Sequence, residues 1–156
     1  MSIRDTYAEQ AWEFALPSAR NVKYLSLGLW GEVGELASLV AKSIRDETEL
    51  DKTAVAKELG DVVWFVAASA MFMDAGDDFT TLLHDAEVSD NDRTLTEEVE
   101  AVLDATIRTD FLDLFDSIAT LAHGVGYTID DVLEMNLAKL QSRRDRGKIT
   151  GSGDDR

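Results

Sequence analysis

The chain contains no cysteine and one proline, Pro17. Without cysteine there is no disulfide framework and no thiolate metal site. Basic residues are scarce: 15 Lys and Arg stand against 31 Asp and Glu, a net charge of −16. That balance disfavours general binding to nucleic-acid backbones. No apolar run approaches the ~18 residues of a membrane span. The stretch "MSIRDTYAEQ" lacks the basic and apolar blocks of a signal peptide. The expectation is a soluble, cytoplasmic protein that binds neither nucleic acid nor membrane. Its 156 residues suffice for one domain with a real core, and 45% hydrophobic residues exclude a disordered acidic tail.

The acidity is uneven. Residues 74–116 hold 14 acids and only two bases, Arg93 and Arg108. The last 18 residues hold Lys139, Arg143, Arg144, Arg146, Lys148 and Arg156. Asp outnumbers Glu 19 to 12 and lysine is rare, which fits either simple solubility or a salt-rich cytoplasm.

Val and Ile nowhere alternate with polar residues for long, and the periodicity is helical throughout. The sequence predicts helices at about 3–16, stopped by Pro17, then about 21–45 and about 52–74. A short helix follows near 78–87, then a long one from Thr94 or Thr96 to about His123. Gly124 and Gly126 break the chain, and Thr128 with Asp131 makes a capping box for a last helix at about 129–144. The expected fold is an all-α helical bundle. Its boundaries are a single domain over 1–145, including an acidic insert at 76–115, and a basic, Gly-rich tail over 146–156.

Two carboxylate pairs are out of place. Glu32 and Glu35 lie in "LGLWGEVGEL", and Glu58 and Asp61 in "KELGDVVWFV". Residues three apart share a helix face. Spacing alone says little here, because Glu97/Glu100, Asp110/Asp113 and Asp131/Glu134 have it too and read as solvated faces. Placement separates the first two pairs: they project from apolar faces that should pack together. Four like charges cannot converge in a core unless they protonate or pair with cations. A hard divalent cation, Mg²⁺ with Mn²⁺ as substitute, meets the need through carboxylate oxygens. The alternative is a buried salt-bridge network with Lys42, Arg143 or Arg146, which requires four well-placed cations. A di-iron bundle wants Glu-x-x-His on two helices. His84 and His123 each have threonine three residues earlier, so that option is poor.

"LGLWGEVGELA" followed by "KELGDVVWFVA" resembles the MazG-like nucleoside triphosphate pyrophosphohydrolases, an all-α family. The shared signature is Glu-x-x-Glu, a gap, then Glu-x-x-Asp; here 22 residues separate Glu35 from Glu58. With "TYAEQA" and the C-terminal "DDVLEMNLAKLQSRRDRGKITGSGDDR", the likeness covers about two thirds of the chain. Gly31 stands where many relatives carry a further glutamate. In short relatives the second motif's helix leads almost directly to the last helix, whereas here 76–115 intervenes. That segment adds a helix pair, alters the oligomer or covers the base.

The resemblance implies Mg²⁺-dependent conversion of a nucleoside triphosphate to the monophosphate and pyrophosphate, for nucleotide-pool sanitation or control. It implies Glu32, Glu35, Glu58 and Asp61 as catalytic metal ligands, with Glu32 a candidate general base. Lys139, Arg143 and Arg146 follow at spacings of four and three and would face the β- and γ-phosphates. Lys42 is a further phosphate contact, and Asn136 a contact to sugar or base or else a buried structural amide. Arg144 reads as an exposed helix-end cation. Trp30, Trp64 and Phe65 read as core before base-stacking, as do Tyr7 and Trp12. The tail "GSGDDR" either cradles phosphate through Gly amides or is a free terminus. The resemblance also implies a homo-oligomer, dimer or tetramer. The alternative function is an acidic helical interaction protein, a nucleic-acid mimic or inhibitor, with a degenerate site; its acids would point outward.

Overall fold

The computed structural model describes residues 1–147. Among them are seven α-helices and one 3₁₀ turn, with no strand. The helices are α1 (Ile3–Glu13), α2 (Val22–Asp46), α3 (Lys52–Phe72), α4 (Gly76–Asp85), α5 (Leu95–Arg108), α6 (Phe111–Gly124) and α7 (Ile129–Asp145). The 3₁₀ turn is Pro17–Ala19. The expected all-α class is borne out. No helix among the described residues is long and apolar enough to cross a membrane.

Local chemistry places most boundaries. The α1 helix ends at Glu13, four residues before Pro17, where the proline ring would meet the carbonyl of a continuing helix. Leu16, directly before the proline, is extended at φ −60°, ψ 148°. Asn21 caps α2 by accepting from the Tyr24 amide, and Asp51 caps α3 by accepting from Ala54. Reciprocal capping boxes join Thr94 to Glu97 and Thr128 to Asp131.

The predicted long helix from Thr94 to His123 is instead two helices. Thr109 takes a left-handed conformation, φ 54°, and its amide closes α5 on the Ala105 and Thr106 carbonyls. Asp110 then accepts from the Asp113 amide at 3.2 Å and starts α6. Arg108 holds the corner through Asp104, Asp110 and Asp113. Neither glycine nor proline marks the break, so periodicity ran straight through it. The chain folds back there, and α5 packs on α6.

The α3 helix is the centre of the bundle. It packs on α1, α2, α4, α6 and α7, and from Val55 to Ala70 it is buried on nearly every side. Its most extensive partner is α2, joined by the short loop 47–51. Gly28 makes that packing close: a Cβ there would lie 2.0 Å from the Phe65 ring. Trp64 Nε1 donates to the Ala11 carbonyl at 3.2 Å, tying α3 to α1. Arg4 bonds Asp130 at 2.6 Å and the Leu83 carbonyl at 3.1 Å, tying α1 to α7 and α4.

The acidic segment 76–115 supplies α4, α5 and the start of α6. Phe79, Leu83, Val99, Val102, Leu114 and Phe115 join one continuous core with α1, α2, α3 and α7. Of the 14 acids in 74–116, Glu98 alone is buried and Asp116 is half-buried; the rest are exposed. These apolar residues face inward and most of the segment's charge faces water, while Val88, Ile107, Phe111 and Leu112 remain exposed.

Candidate active site

Three of the four predicted acids meet. Glu32 of α2 and Glu58 and Asp61 of α3 each bring a carboxylate oxygen to a common point, these oxygens lying within 4.8 Å of one another. The residue pattern explains the meeting. On α3, Glu58 and Asp61 are one turn apart on the side that faces α2 and α7. On α2, Leu25, Val33, Leu36 and Val40 form the buried stripe, and Glu32 sits on its flank, half-buried. Glu58 is only 8% exposed.

The fourth acid, Glu35, lies one turn further along α2 and is exposed, outside the group of three. It still acts on the group. Burial raises the Glu32 carboxyl to about 7, helped by the charges of Asp61, Glu35 and Glu58 and opposed by Lys139.

Asp61 is held from α7. Asn136 Nδ2 donates to Asp61 Oδ1 at 2.9 Å, and Lys139 Nζ donates to Asp61 Oδ2 at 2.6 Å. Asn136 is 3% exposed, and its Oδ1 accepts from the Tyr7 hydroxyl at 2.8 Å. Tyr7 is fully buried, and burial, with the Asp61 charge, pushes its phenol well above its ordinary value. Its hydroxyl therefore keeps its proton at neutral pH. From the sequence alone Tyr7 reads as core packing. Its place in this chain of hydrogen bonds depends on a contact across 129 positions, for which no local signal exists.

The predicted basic residues spread out. Arg143, one turn beyond Lys139 on α7, is half-buried. Arg146 is exposed, and its Nε donates to the Ser142 carbonyl of its own helix at 3.2 Å. Lys42 is exposed on α2, two turns past Glu35. Arg144 stacks over the Phe14 ring at 4.6 Å, a packing role. The tail "GSGDDR" and Lys148 lie outside the described residues.

Trp64 and Phe65 are core, packed edge to face at 4.8 Å. Trp30 is 48% exposed. It lines an apolar groove of about 210 Å³ with Val22, Leu29, Phe72, Met73 and Phe111. At about 100° per residue, Trp30 and Glu32 point to opposite sides of α2. The groove and the acids thus flank the buried stripe from two sides.

Three carboxylates without histidine or cysteine form an all-oxygen donor set. Such a set fits a hard divalent cation, Mg²⁺ or Mn²⁺, rather than a soft metal. The crowding that raises Glu32 is also what a cation would relieve. The residues present therefore fit a divalent metal.

Comparison with known proteins agrees with the two motifs. Residues 20–83 match the model of the MazG nucleotide pyrophosphohydrolase domain, so the resemblance read from the motifs is borne out. The matched stretch holds all four motif acids and Lys42 but not Tyr7, Asn136, Lys139, Arg143 or Arg146. The "Gene 37 protein" of Mycobacterium phage L5 is 29% identical over 143 residues, covering 89% of this chain and 80% of that protein. No solved structure matches the chain.

Proposed function

We propose that this protein is a Mg²⁺-dependent nucleoside triphosphate pyrophosphohydrolase, converting a nucleoside or deoxynucleoside triphosphate to the monophosphate and pyrophosphate. The observation that carries the reading is the convergence of Glu32, Glu58 and Asp61 from two helices within 4.8 Å. The match of residues 20–83 to the pyrophosphohydrolase domain supports it.

In the proposed reaction a water oxygen attacks the α-phosphorus. The bond from that phosphorus to the oxygen bridging the β-phosphate breaks, and pyrophosphate leaves with the bonding pair. A divalent cation, when bound, screens the triphosphate and stabilises charge on the leaving group. Glu58 and Asp61 supply its carboxylate oxygens, Glu32 completes the set, and Glu35 lends negative charge from the edge. Glu32 is the group proposed to accept the water's proton, because it lies half-buried on the flank of the group of three rather than inside the bundle with Glu58. Lys139, next to Asp61, and Arg143, one turn on, provide positive charge for the β- and γ-phosphates, with Arg146 and Lys42 at the margin. Asn136, buried and bonded at both ends, is assigned to Asp61 rather than to sugar or base. The proposed setting is sanitation or control of a cytoplasmic nucleotide pool, in a homo-oligomer.

The test is incubation with each NTP and dNTP and Mg²⁺, measuring monophosphate and pyrophosphate. Turnover should vanish in Glu58→Gln and in Asp61→Asn, each with the far-UV spectrum of the parent. A folded protein that turns over none of the eight substrates would sink the enzyme reading. The outward acids of 74–116 would then favour an acidic interaction protein with an inert site.

A further inference from the structure

The hydrogen bonds behind Asp61 run in one direction and have a fixed order. A carboxylate only accepts, so the Asn136 group facing Asp61 Oδ1 at 2.9 Å is its NH₂. The amide oxygen must then face the other way, toward Tyr7, whose hydroxyl donates to it at 2.8 Å. Turning the amide over would set its oxygen against the carboxylate, two acceptors with no hydrogen between them. Asp61 thereby decides which face of Asn136 meets it, and the Tyr7 hydroxyl holds that amide from its other end.

The packing around this chain is tight. Tyr7 is fully buried on α1, stacked 6.2 Å from Phe79. Phenylalanine would fill the same space with no polar atom to satisfy. Gly60, immediately before Asp61, lets α7 approach α3 closely: a Cβ there would lie 2.9 Å from Asn136 Cβ and 3.4 Å from the Val132 carbonyl. The glycine inside the Glu-x-x-Asp motif therefore makes room for the residue that holds the motif's aspartate.

We infer that Tyr7 is a positioning residue for the candidate metal site, acting through Asn136 to fix the orientation of the Asp61 carboxylate. The inference rests on the reading of Glu32, Glu58 and Asp61 as cation ligands. Partners that orient ligating carboxylates typically contribute 10–100-fold to metal affinity. The role reaches the site from α1, outside the stretch that matches the pyrophosphohydrolase domain.

The experiment titrates the full chain, without nucleotide, with Mn²⁺ and follows free Mn²⁺ by its paramagnetic resonance. Tyr7→Phe and Asn136→Leu should each weaken binding by about 10–100-fold while keeping the parent's far-UV spectrum. The double variant should bind no more weakly than the poorer single, since both changes cut one chain. Phe79→Leu disturbs the same core without touching a hydrogen bond and should leave Mn²⁺ affinity within about twofold of the parent, a margin far below that loss. The role is overturned if Tyr7→Phe stays within that margin, if the two losses multiply in the double variant, or if Phe79→Leu loses as much. Asn136→Leu tests the same link should Tyr7→Phe not fold; retained affinity in it overturns the role equally. A parent that binds Mn²⁺ no better than Glu58→Gln overturns the metal site itself, an outcome distinct from failure of the Tyr7 link alone.

Discussion

Replacing Glu32 with glutamine should stabilise the metal-free protein at alkaline pH and leave it unchanged in acid. In the folded chain the Glu32 carboxyl titrates at about 7 instead of 4.5, because burial and the charges of Asp61, Glu35 and Glu58 disfavour its ionised form. A raised carboxyl makes the folded state bind its proton more tightly than the unfolded state does. That contribution is fully present below about pH 4.5, fades as pH rises to about 7, and is gone above it. At about 1.4 kcal/mol per pH unit the loss is at most about 3.5 kcal/mol. Partial exposure of Glu32 screens its neighbours, which brings the expectation to about 1–2 kcal/mol. Glutamine keeps the shape and cannot ionise. In excess chelator, Glu32→Gln should therefore melt about 2–8 °C above the parent at pH 8 and level with it at pH 4. The parent gains stability with bound cation in proportion to ln(1 + [L]/Kd). Saturating Mg²⁺ should therefore narrow or reverse the gap at pH 8. Thermal unfolding by circular dichroism at both pH values, with and without Mg²⁺, measures this. A variant no more stable than the parent at pH 8 in chelator, or a gap of equal size at pH 4, would refute the reasoning.

Glu35 is exposed and outside the group of three, so Glu35→Gln should weaken Mn²⁺ binding less than Glu58→Gln does in the same titration. Gly60→Ala places a methyl 2.9 Å from Asn136 Cβ. Overpacking of about 1–3 kcal/mol, partly offset by up to about 1 kcal/mol of helix propensity, should lower its urea midpoint. Thr109 is β-branched and left-handed, so Thr109→Gly should raise stability by up to about 1 kcal/mol, read from the same urea curves.

Helix positions were legible wherever a local rule governs them. Pro17, Asn21, Asp51, Thr94 and Thr128 each act on residues within one turn, and the boundaries they set agree with the sequence to within a few positions. The corner at Thr109 shows the limit of such rules. Its left-handed turn is made by a residue that ordinarily avoids that conformation. What sustains it is the packing of α5 on α6, together with the hold of Arg108 on three aspartates. None of that is written in the period of the apolar residues. The 76–115 segment was legible as acidic but not as core. A net charge is a sum over a helix, whereas burial depends on which few apolar residues share its inner side, here Phe79, Leu83, Val99, Val102, Leu114 and Phe115.

Legibility of the site divides along the same line. Glu58 and Asp61 stood out because α3 beyond them is apolar on nearly every side, so acids on its apolar face must meet something inside. On α2 one side is open to water, so spacing alone does not separate an inward acid from an outward one. Glu32 and Glu35 are only one turn apart, about 60° around the helix axis, and that rotation suffices to turn Glu35 outward while Glu32 stays half-buried. The partners of Asp61 come from α7 and α1, 75 to 78 positions and, through Asn136, a further 129 positions away in sequence. For Lys139 the sequence offered a charge at a helical spacing, which is why it was found. For Tyr7 it offered one hydroxyl on an otherwise ordinary core aromatic. A hydroxyl buried without water needs a partner. That requirement would have marked Tyr7 for attention, but only the packing of α1 against α7 identifies Asn136 as the partner and Asp61 as the group it serves.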